Sequence, residues 1–235
     1  MSRWLSVVIP ALNEAESLPK TLDALAGDWP GGPPEIIVVD GGSTDGTREI
    51  ARRLGAAVLR SPAGRARQMN AGARAATGRF LYFLHADTTP PPNLPLHLRA
   101  AAQKDVPACF SIRFDRQNES AWLRLFARLS RLNTDAFRFG DQSLFVSRAR
   151  FEAVGGFRED HTLLEGHELV KRLGRQAGNF LVMDASVTTS ARRYLRHGVL
   201  FTQLTYVLIF GLYRLGVRQN SLLRIYRGAF PDQGT

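Results

Sequence analysis

Three short apolar runs that end alike constrain the fold of this chain more than any other feature. Ser6-Val7-Val8-Ile9 stops at Pro10, residues 35–39 stop at Asp40, and residues 80–84 run straight into His85-Ala86-Asp87. Continuous apolar character, in place of strict alternation, marks strands buried on both faces. Between the runs lie stretches of helical spacing, such as Leu18, Leu22 and Leu25. Strands alternating with helices predict a mostly parallel central sheet flanked by helices, with right-handed crossovers. In open sheets of that kind ligands bind beyond the carboxyl ends of the strands. Pro10, Asp40 and Asp87 are therefore expected along one edge.

The spacing predicts helices over 14–26, with Asn13 as N-cap, over 44–54 and over 65–76, and a short strand over 56–59. Further on, strands are expected over 108–114, 142–146 and 180–183, and helices over 121–132 and 165–176. The expected division is an α/β domain over 1–190 and a C-terminal helical segment over 191–235. A chain of 235 residues with 44% hydrophobic content can bury a core without disulfides. Its single cysteine, Cys109, excludes an intrachain disulfide and sits in an apolar stretch, as a small core residue does. The apolar start is too short for a signal peptide, so the functional face is expected in the cytoplasm.

The formal net charge is +10. Nucleic acid, an anionic membrane surface and an anionic small substrate all suit it. The arginines are scattered, and no helix-turn-helix, zinc-finger or RNA-recognition signature is present, so nucleic acid is not an expected partner. Residues 197–213 carry no Asp, Glu, Lys or Arg. Arg192, Arg193 and Arg196 precede them, and Arg214, Arg218, Arg224 and Arg227 follow. The stretch is near the lower limit for a membrane span, and Thr202, Gln203, Thr205 and Gly211 weaken it further. A peripheral helix at the inner face of the cell membrane is the expectation, and a buried core helix the alternative.

Three segments carry the candidate chemistry. Asp40 ends a strand and is followed by Gly41-Gly42, which permits close backbone approach by a ligand. A plain turn with Ser43 or Thr44 as helix cap explains the same residues. Arg65 opens a helix after Gly64, where its donor fork can face a phosphate. Gln68 and Asn70 of that helix can hydrogen-bond a base or a sugar, although an ordinary Ala-rich surface helix fits as well. His85 and Asp87 leave a buried strand on one side with small Ala86 between them. A carboxylate there suits Mg²⁺ or Mn²⁺, which retains waters and is also held by substrate phosphates. Alone, such an Asp is a turn residue.

Together and in this order, the segments resemble family-2 glycosyltransferases, which have the GT-A nucleotide-diphospho-sugar transferase fold. Residues 6–14 look like that family's opening strand and turn, the Asp40 segment like its nucleoside-binding turn, and the His85 segment like its Asp-x-Asp motif. The resemblance is strong over about residues 5–90 and continues more weakly to about 185. Similar small bacterial members carry Gly-Arg-Ala-x-Gln-Met-Asn, Leu-His-Ala-Asp-Thr and Gly-Asp-Gln, which stand here at Gly64–Asn70, Leu84–Thr88 and Gly140–Gln142. The resemblance implies that Asp40 contacts a base, expected to be uracil. Pro10 and Glu14, beside Asn13, line the nucleoside pocket, Gly42 and Arg65 approach the donor, and Asp87 binds the metal. His85 replaces the motif's first Asp and serves the ribose.

The acceptor half departs from the pattern. Family members carry Glu-Asp at the start of a late helix, with the Asp as general base. Here the stretch reads Leu164-Glu165-Gly166-His167-Glu168, so Gly166 stands at the Asp position. Glu165, His167 and Asp141 are the candidate bases, although Glu165 and Glu168 also suit a helix N-terminus. Trp122 and Phe137 are candidates for stacking on a sugar or for the core. The expected activity is inverting, metal-dependent transfer from a nucleotide sugar to a hydroxyl of an unidentified acceptor, which a peripheral membrane position suits if it is lipid-linked. The alternatives are a nucleotide-sugar binder without turnover and, less well matched, a nucleotidyltransferase.

Overall fold

The computed structural model describes residues 3–134 and 140–231. Its strands are β1 (Leu5–Ala11), β2 (Glu35–Asp40), β3 (Ala57–Arg60), β4 (Phe80–Phe83), β5 (Thr88–Thr89), β6 (Ala108–Phe114), β7 (Leu144–Ser147) and β8 (Leu181–Thr189). The helices are α1 (Leu18–Asp23), α2 (Thr47–Arg53), α3 (Arg65–Ala75), α4 (Leu94–Lys104), α5 (Ala121–Leu129), α6 (Arg148–Ala153), α7 (Glu165–Ala177), α8 (Arg192–His197), α9 (Val199–Arg214) and α10 (Gln219–Ala229). These strands join one sheet in the order β3-β2-β1-β4-β7-β6-β8-β5.

The first half of that sheet, β3-β2-β1-β4, is parallel throughout. Beyond it β7 runs antiparallel to both β4 and β6, and β5 antiparallel to β8, while β6 and β8 are parallel. The sheet is therefore mixed: parallel over β3-β2-β1-β4 as expected, and antiparallel on both sides of β7. Helices separate β5, β6, β7 and β8 much as they separate β1 to β4, so the alternation along the chain does not reveal that β7 and β5 run antiparallel to their neighbours.

The buried runs pack both faces. Val7 and Ile9 of β1 meet Leu18, Leu22, Leu94 and Leu98 on one side. Val8 meets Met69, Ala73, Leu169 and Leu173 on the other. Cys109 is buried in the second cluster, as expected. Helix α3 lies so close to β1 and β2 that a Cβ on Gly72 would come within 2.3 Å of Val8 Cγ1. The C-terminal helices pack through Tyr194 onto Ile112, Phe114 and Leu123, and through Ile209, Leu222, Tyr226 and Phe230 onto Leu163 and Leu164.

Several boundaries move. The helix expected over 14–26 begins only at Leu18, after a turn, and Asn13 does not cap it. Helix α2 starts at Thr47 instead of 44, because the preceding residues form a loop that binds the β1 end. β8 extends six residues past the expected end at 183, since its partner β6 continues to Phe114.

Gly72→Ala should destabilise the protein by about 1–3 kcal/mol through overpacking against Val8. Gly174→Ala, in α7 where an added Cβ would meet nothing within 4 Å, should be neutral or stabilising by up to about 1 kcal/mol. Urea unfolding of both variants checks the contrast.

Candidate active site at the β1–β4 edge

The strand order reverses between β1 and β4: β2 and β3 extend from one side of β1, and β4 lies on the other. That is the switch point at which open sheets form a crevice. Val8 O still accepts from Leu84 N at 3.0 Å. Two residues on, buried Pro10 has no N–H to continue the ladder toward β4, and the strands diverge. The loops after β1, β2 and β4 meet at this opening.

Two of those loops are tied together. Asn13, at φ 55°, accepts from Thr44 N at 2.9 Å through Oδ1 and donates its own N–H to Ser43 Oγ at 2.9 Å. Glu14 N donates to Thr47 Oγ1 at 2.9 Å, and Ala15 N to Asp45 Oδ2 at 3.1 Å. Asp40 is buried and accepts from Gly42 N at 3.2 Å and Ser43 N at 3.1 Å, with Arg48 3.9 Å away. Its carboxylate thus shapes its own turn. Gly42, exposed at φ 104° with open space around it, is where a ligand can approach the backbone.

Two residues expected to meet the donor are used internally. Gln68 donates both amide protons, to Ala11 O at 2.9 Å and to Val39 O at 2.8 Å, and so clamps the ends of β1 and β2. Asn70 donates to Phe157 O and Glu159 Oε1 and accepts from Phe157 N, each within 3.0 Å. Both are buried fasteners.

The turn after β4 is half open. Ala86 is buried, and its carbonyl accepts from Thr21 Oγ1 at 2.8 Å, while His85 and Asp87 on either side are partly exposed. Asp87 Oδ2 lies 3.6 Å from Arg192 Nη2, and that same nitrogen lies 2.7 Å from Glu14 Oε1. Arg192 opens α8, and its role went unread in the sequence because 105 residues separate it from Asp87. Glu14 Oε2 is buried without a hydrogen-bond partner. Burial, then repulsion from Asp87, pushes the Glu14 carboxyl above its usual range, and Arg192 opposes both. A cleft of about 300 Å³ adjoins Asp87 and Arg192, lined also by Lys20, Asp115 and Thr188.

Among the described residues no group of three or more His, Cys, Asp and Glu is arranged to hold a metal. A hard cation that keeps waters and takes phosphate oxygens needs only one or two protein carboxylates. Asp87, a quarter exposed beside the unpartnered Glu14 oxygen, fits that requirement.

A second cluster gathers around Arg65. Its side chain is exposed to solvent. Burial works against its charge, but Glu165 and Asp141 outweigh this and hold its pKa up. Arg193 and Tyr226 from the C-terminal helices face the same cluster. Arg193 donates to Tyr206 Oη, whose pKa burial drives up to about 12 despite that arginine. Glu165 and Asp141 are thus brought together. His167 lies about 200° around α7 from Glu165, and its buried ring packs edge-on against Phe210 at 4.9 Å and Tyr213 at 6.2 Å. Trp122 is exposed and stacks on Phe126, so it is not a core residue. Phe137 lies outside the described residues.

Arg192→Gln should raise the Glu14 pKa further, because a hydrogen bond and a favourable charge are both removed. A folded-state pKa above the unfolded value means that the folded chain holds the proton more tightly. Stability linked to Glu14 therefore falls as pH rises through the folded pKa, and should fall further in Arg192→Gln. Carbon-detected NMR titration of Glu14, with thermal melts across about pH 4–8, reads both effects.

The family model for "Glycosyl transferase family 2" matches residues 6–155. A glycosyltransferase of Haloferax volcanii, AglE, is 37% identical over 95 residues, covering 37% of this chain and 31% of that protein. A PGL/p-HBAD biosynthesis glycosyltransferase of Mycobacterium bovis is 42% identical over 93 residues, covering 35% of this chain and 34% of that protein. The chain thus spans about a third of the length of these curated relatives. In solved structures, the fold is shared with the mannosyltransferase PcManGT of Pyrobaculum calidifontis in complex with GDP-Man and Mn²⁺, at a TM-score of 0.69 and 20% identity over 91% of this chain and 65% of that one. It is shared also with S. aureus TarS 1–349 in complex with UDP, at a TM-score of 0.61 and 19% identity over 80% of this chain and 60% of that one. With the profile match spanning the crevice, the Asp87 turn and β7, the chain belongs to glycosyl transferase family 2.

Proposed function

We propose that this chain transfers a sugar from a nucleotide-sugar donor, with inversion at the anomeric carbon, to a hydroxyl of an unidentified acceptor, for which a lipid-linked molecule is one candidate. The single observation that carries the donor half is the convergence of Asp87, Glu14 and Arg192 at the switch-point crevice. Structural neighbours bound to GDP-Man with Mn²⁺ and to UDP support a nucleotide-sugar ligand of this fold. We assign the nucleoside to the joined loops around Asn13, Asp40 and Gly42, with uracil as the expected base and His85 beside the ribose. Asp87, with Glu14 beside it, would hold Mn²⁺ or Mg²⁺, which when bound supplies positive charge at the leaving diphosphate.

The residues of the chain divide the remaining work. Arg192 offsets the charge of the two carboxylates, and its guanidinium also suits the diphosphate oxygens. The acceptor oxygen attacks the anomeric carbon as the bond to the diphosphate breaks. The electron pair leaves with the diphosphate, and the hydroxyl proton passes to Glu165 or Asp141 beside Arg65. The edge-on packing of His167 against α9 favours those carboxylates over the imidazole. The contact of the C-terminal segment with the inner face of a membrane belongs to the same reading, as the route to the acceptor.

Asp87→Asn should reduce turnover of a nucleotide sugar with Mn²⁺ by about a hundredfold or more. Unchanged turnover and donor affinity would remove the assignment. Arg192→Gln should weaken binding of a nucleoside diphosphate about tenfold while leaving the free nucleoside unaffected, as isothermal titration calorimetry can resolve. Donor binding with no turnover under any acceptor or pH would reduce the chain to a nucleotide-sugar binder.

A further inference from the structure

Helix α9 is amphipathic in the wrong direction for a helix docked on a core. Its polar Thr202 and Thr205 face the protein at 0% and 8% exposure, whereas Leu200, Phe201, Leu204, Val207 and Leu208 stand 47–66% exposed. At 100° per residue those five fall within an arc of about 120°, so they form one apolar stripe along the helix. Leu215, just past the helix end, is 82% exposed. Burial of Ile209 on the opposite face against Leu222, Tyr226 and Phe230 fixes this orientation. The neighbouring α5, packed with α8 and α9 through Leu123, Phe126, Tyr194 and Tyr206, exposes Trp122 and Leu125. A row of exposed apolar side chains of this length marks a surface that something covers.

The charge around the stripe says what covers it. Residues 185–231 contain no Asp or Glu and seven arginines, and residues 120–134 contain no Asp or Glu and three arginines. Arg214, Arg218 and Arg224 are exposed at the far end of α9 and beyond it. An apolar stripe with purely cationic flanks matches an anionic bilayer, which offers hydrocarbon and negative headgroups at once. A second copy of this chain would set arginines against arginines. At 16 residues, α9 is only about 24 Å long. Among the described residues no helix is long and apolar enough to cross a membrane.

We propose that α9 lies in the plane of an anionic lipid surface, with Leu200, Phe201, Leu204, Val207 and Leu208 in the acyl region and the flanking arginines at the headgroups. This rests on and deepens the proposed contact of the C-terminal segment with a membrane, and names its surface. α8, which carries Arg192 to the donor crevice, runs directly into α9 through Gly198, so the docked helix and the crevice are joined by a single glycine. The docking itself needs no sugar transfer.

The test is flotation of the full chain with vesicles of phosphatidylcholine alone and of equimolar phosphatidylcholine and phosphatidylglycerol, without donor. The protein should float with the anionic vesicles and much less with the neutral ones. Leu204→Glu with Val207→Glu, both on the exposed face, should keep the melting temperature and weaken vesicle binding about a hundredfold or more. Arg214→Gln with Arg218→Gln should weaken it about fivefold per charge, on anionic vesicles only. Failure to float with either vesicle, or equal flotation of the Glu pair, overturns the proposal. So does a dimer in sedimentation that the Glu pair dissociates, since a second copy would then cover the stripe. Loss of the donor assignment through Asp87→Asn leaves flotation untouched, so the two readings fail separately.

Discussion

The hydrogen-bond ladder that holds β1 between β2 and β4 is the constraint on which the rest of the structure depends. It places three strand ends side by side in parallel, and a proline at the end of the central one stops the ladder on the β4 side. The crevice follows from that arrangement. Gln68 reinforces it from α3 by donating to Ala11 and Val39, one carbonyl from each of two adjacent strands. Gly72, one turn further along the same helix, lets α3 come close enough for Gln68 to reach. A sequence segment that looks like a ligand-binding helix is thus the clamp that keeps the ends of β1 and β2 in register.

Electrostatics at the crevice form a balance between two carboxylates and one guanidinium. Burial, and after it the nearby Asp87 carboxylate, raises the pKa of Glu14, and one buried oxygen of Glu14 has no hydrogen-bond partner. Arg192 offsets part of the repulsion from outside the sheet. Nearby, Arg193 turns the other way and joins Tyr206, Asp141 and Arg65. Two consecutive residues at the start of α8 therefore serve two different charge clusters. The C-terminal helices are more than an appendage, because without them both clusters lose a cation.

Legibility followed the range of the interactions. β6 was readable to the residue because a mainly apolar run continues through it with no glycine or proline, and α3 nearly so because Gly64 and Gly78 bracket it. Asn13 misled: a side chain that can cap a helix can equally accept from a loop thirty-one residues away, and local sequence does not distinguish the two. The antiparallel insertion of β7 between β4 and β6 was invisible for a related reason. A short apolar run reads as a strand in either direction, and the direction is set by the chain's path around the sheet.

By itself the sequence determined the buried strands β1, β2, β4 and β6, and that the C-terminal segment is apolar with cationic flanks. These are local properties, set by side-chain type and spacing along a few residues. Only the tertiary structure decided that Gln68 and Asn70 face inward, that His167 packs against α9 while Glu165 and Asp141 meet Arg65, and that Arg192 stands between Glu14 and Asp87. It also decided that the leucines of α9 point outward and its threonines inward. Each of those outcomes depends on which elements come to lie beside one another, and that is settled by the shared burial of two distant surfaces.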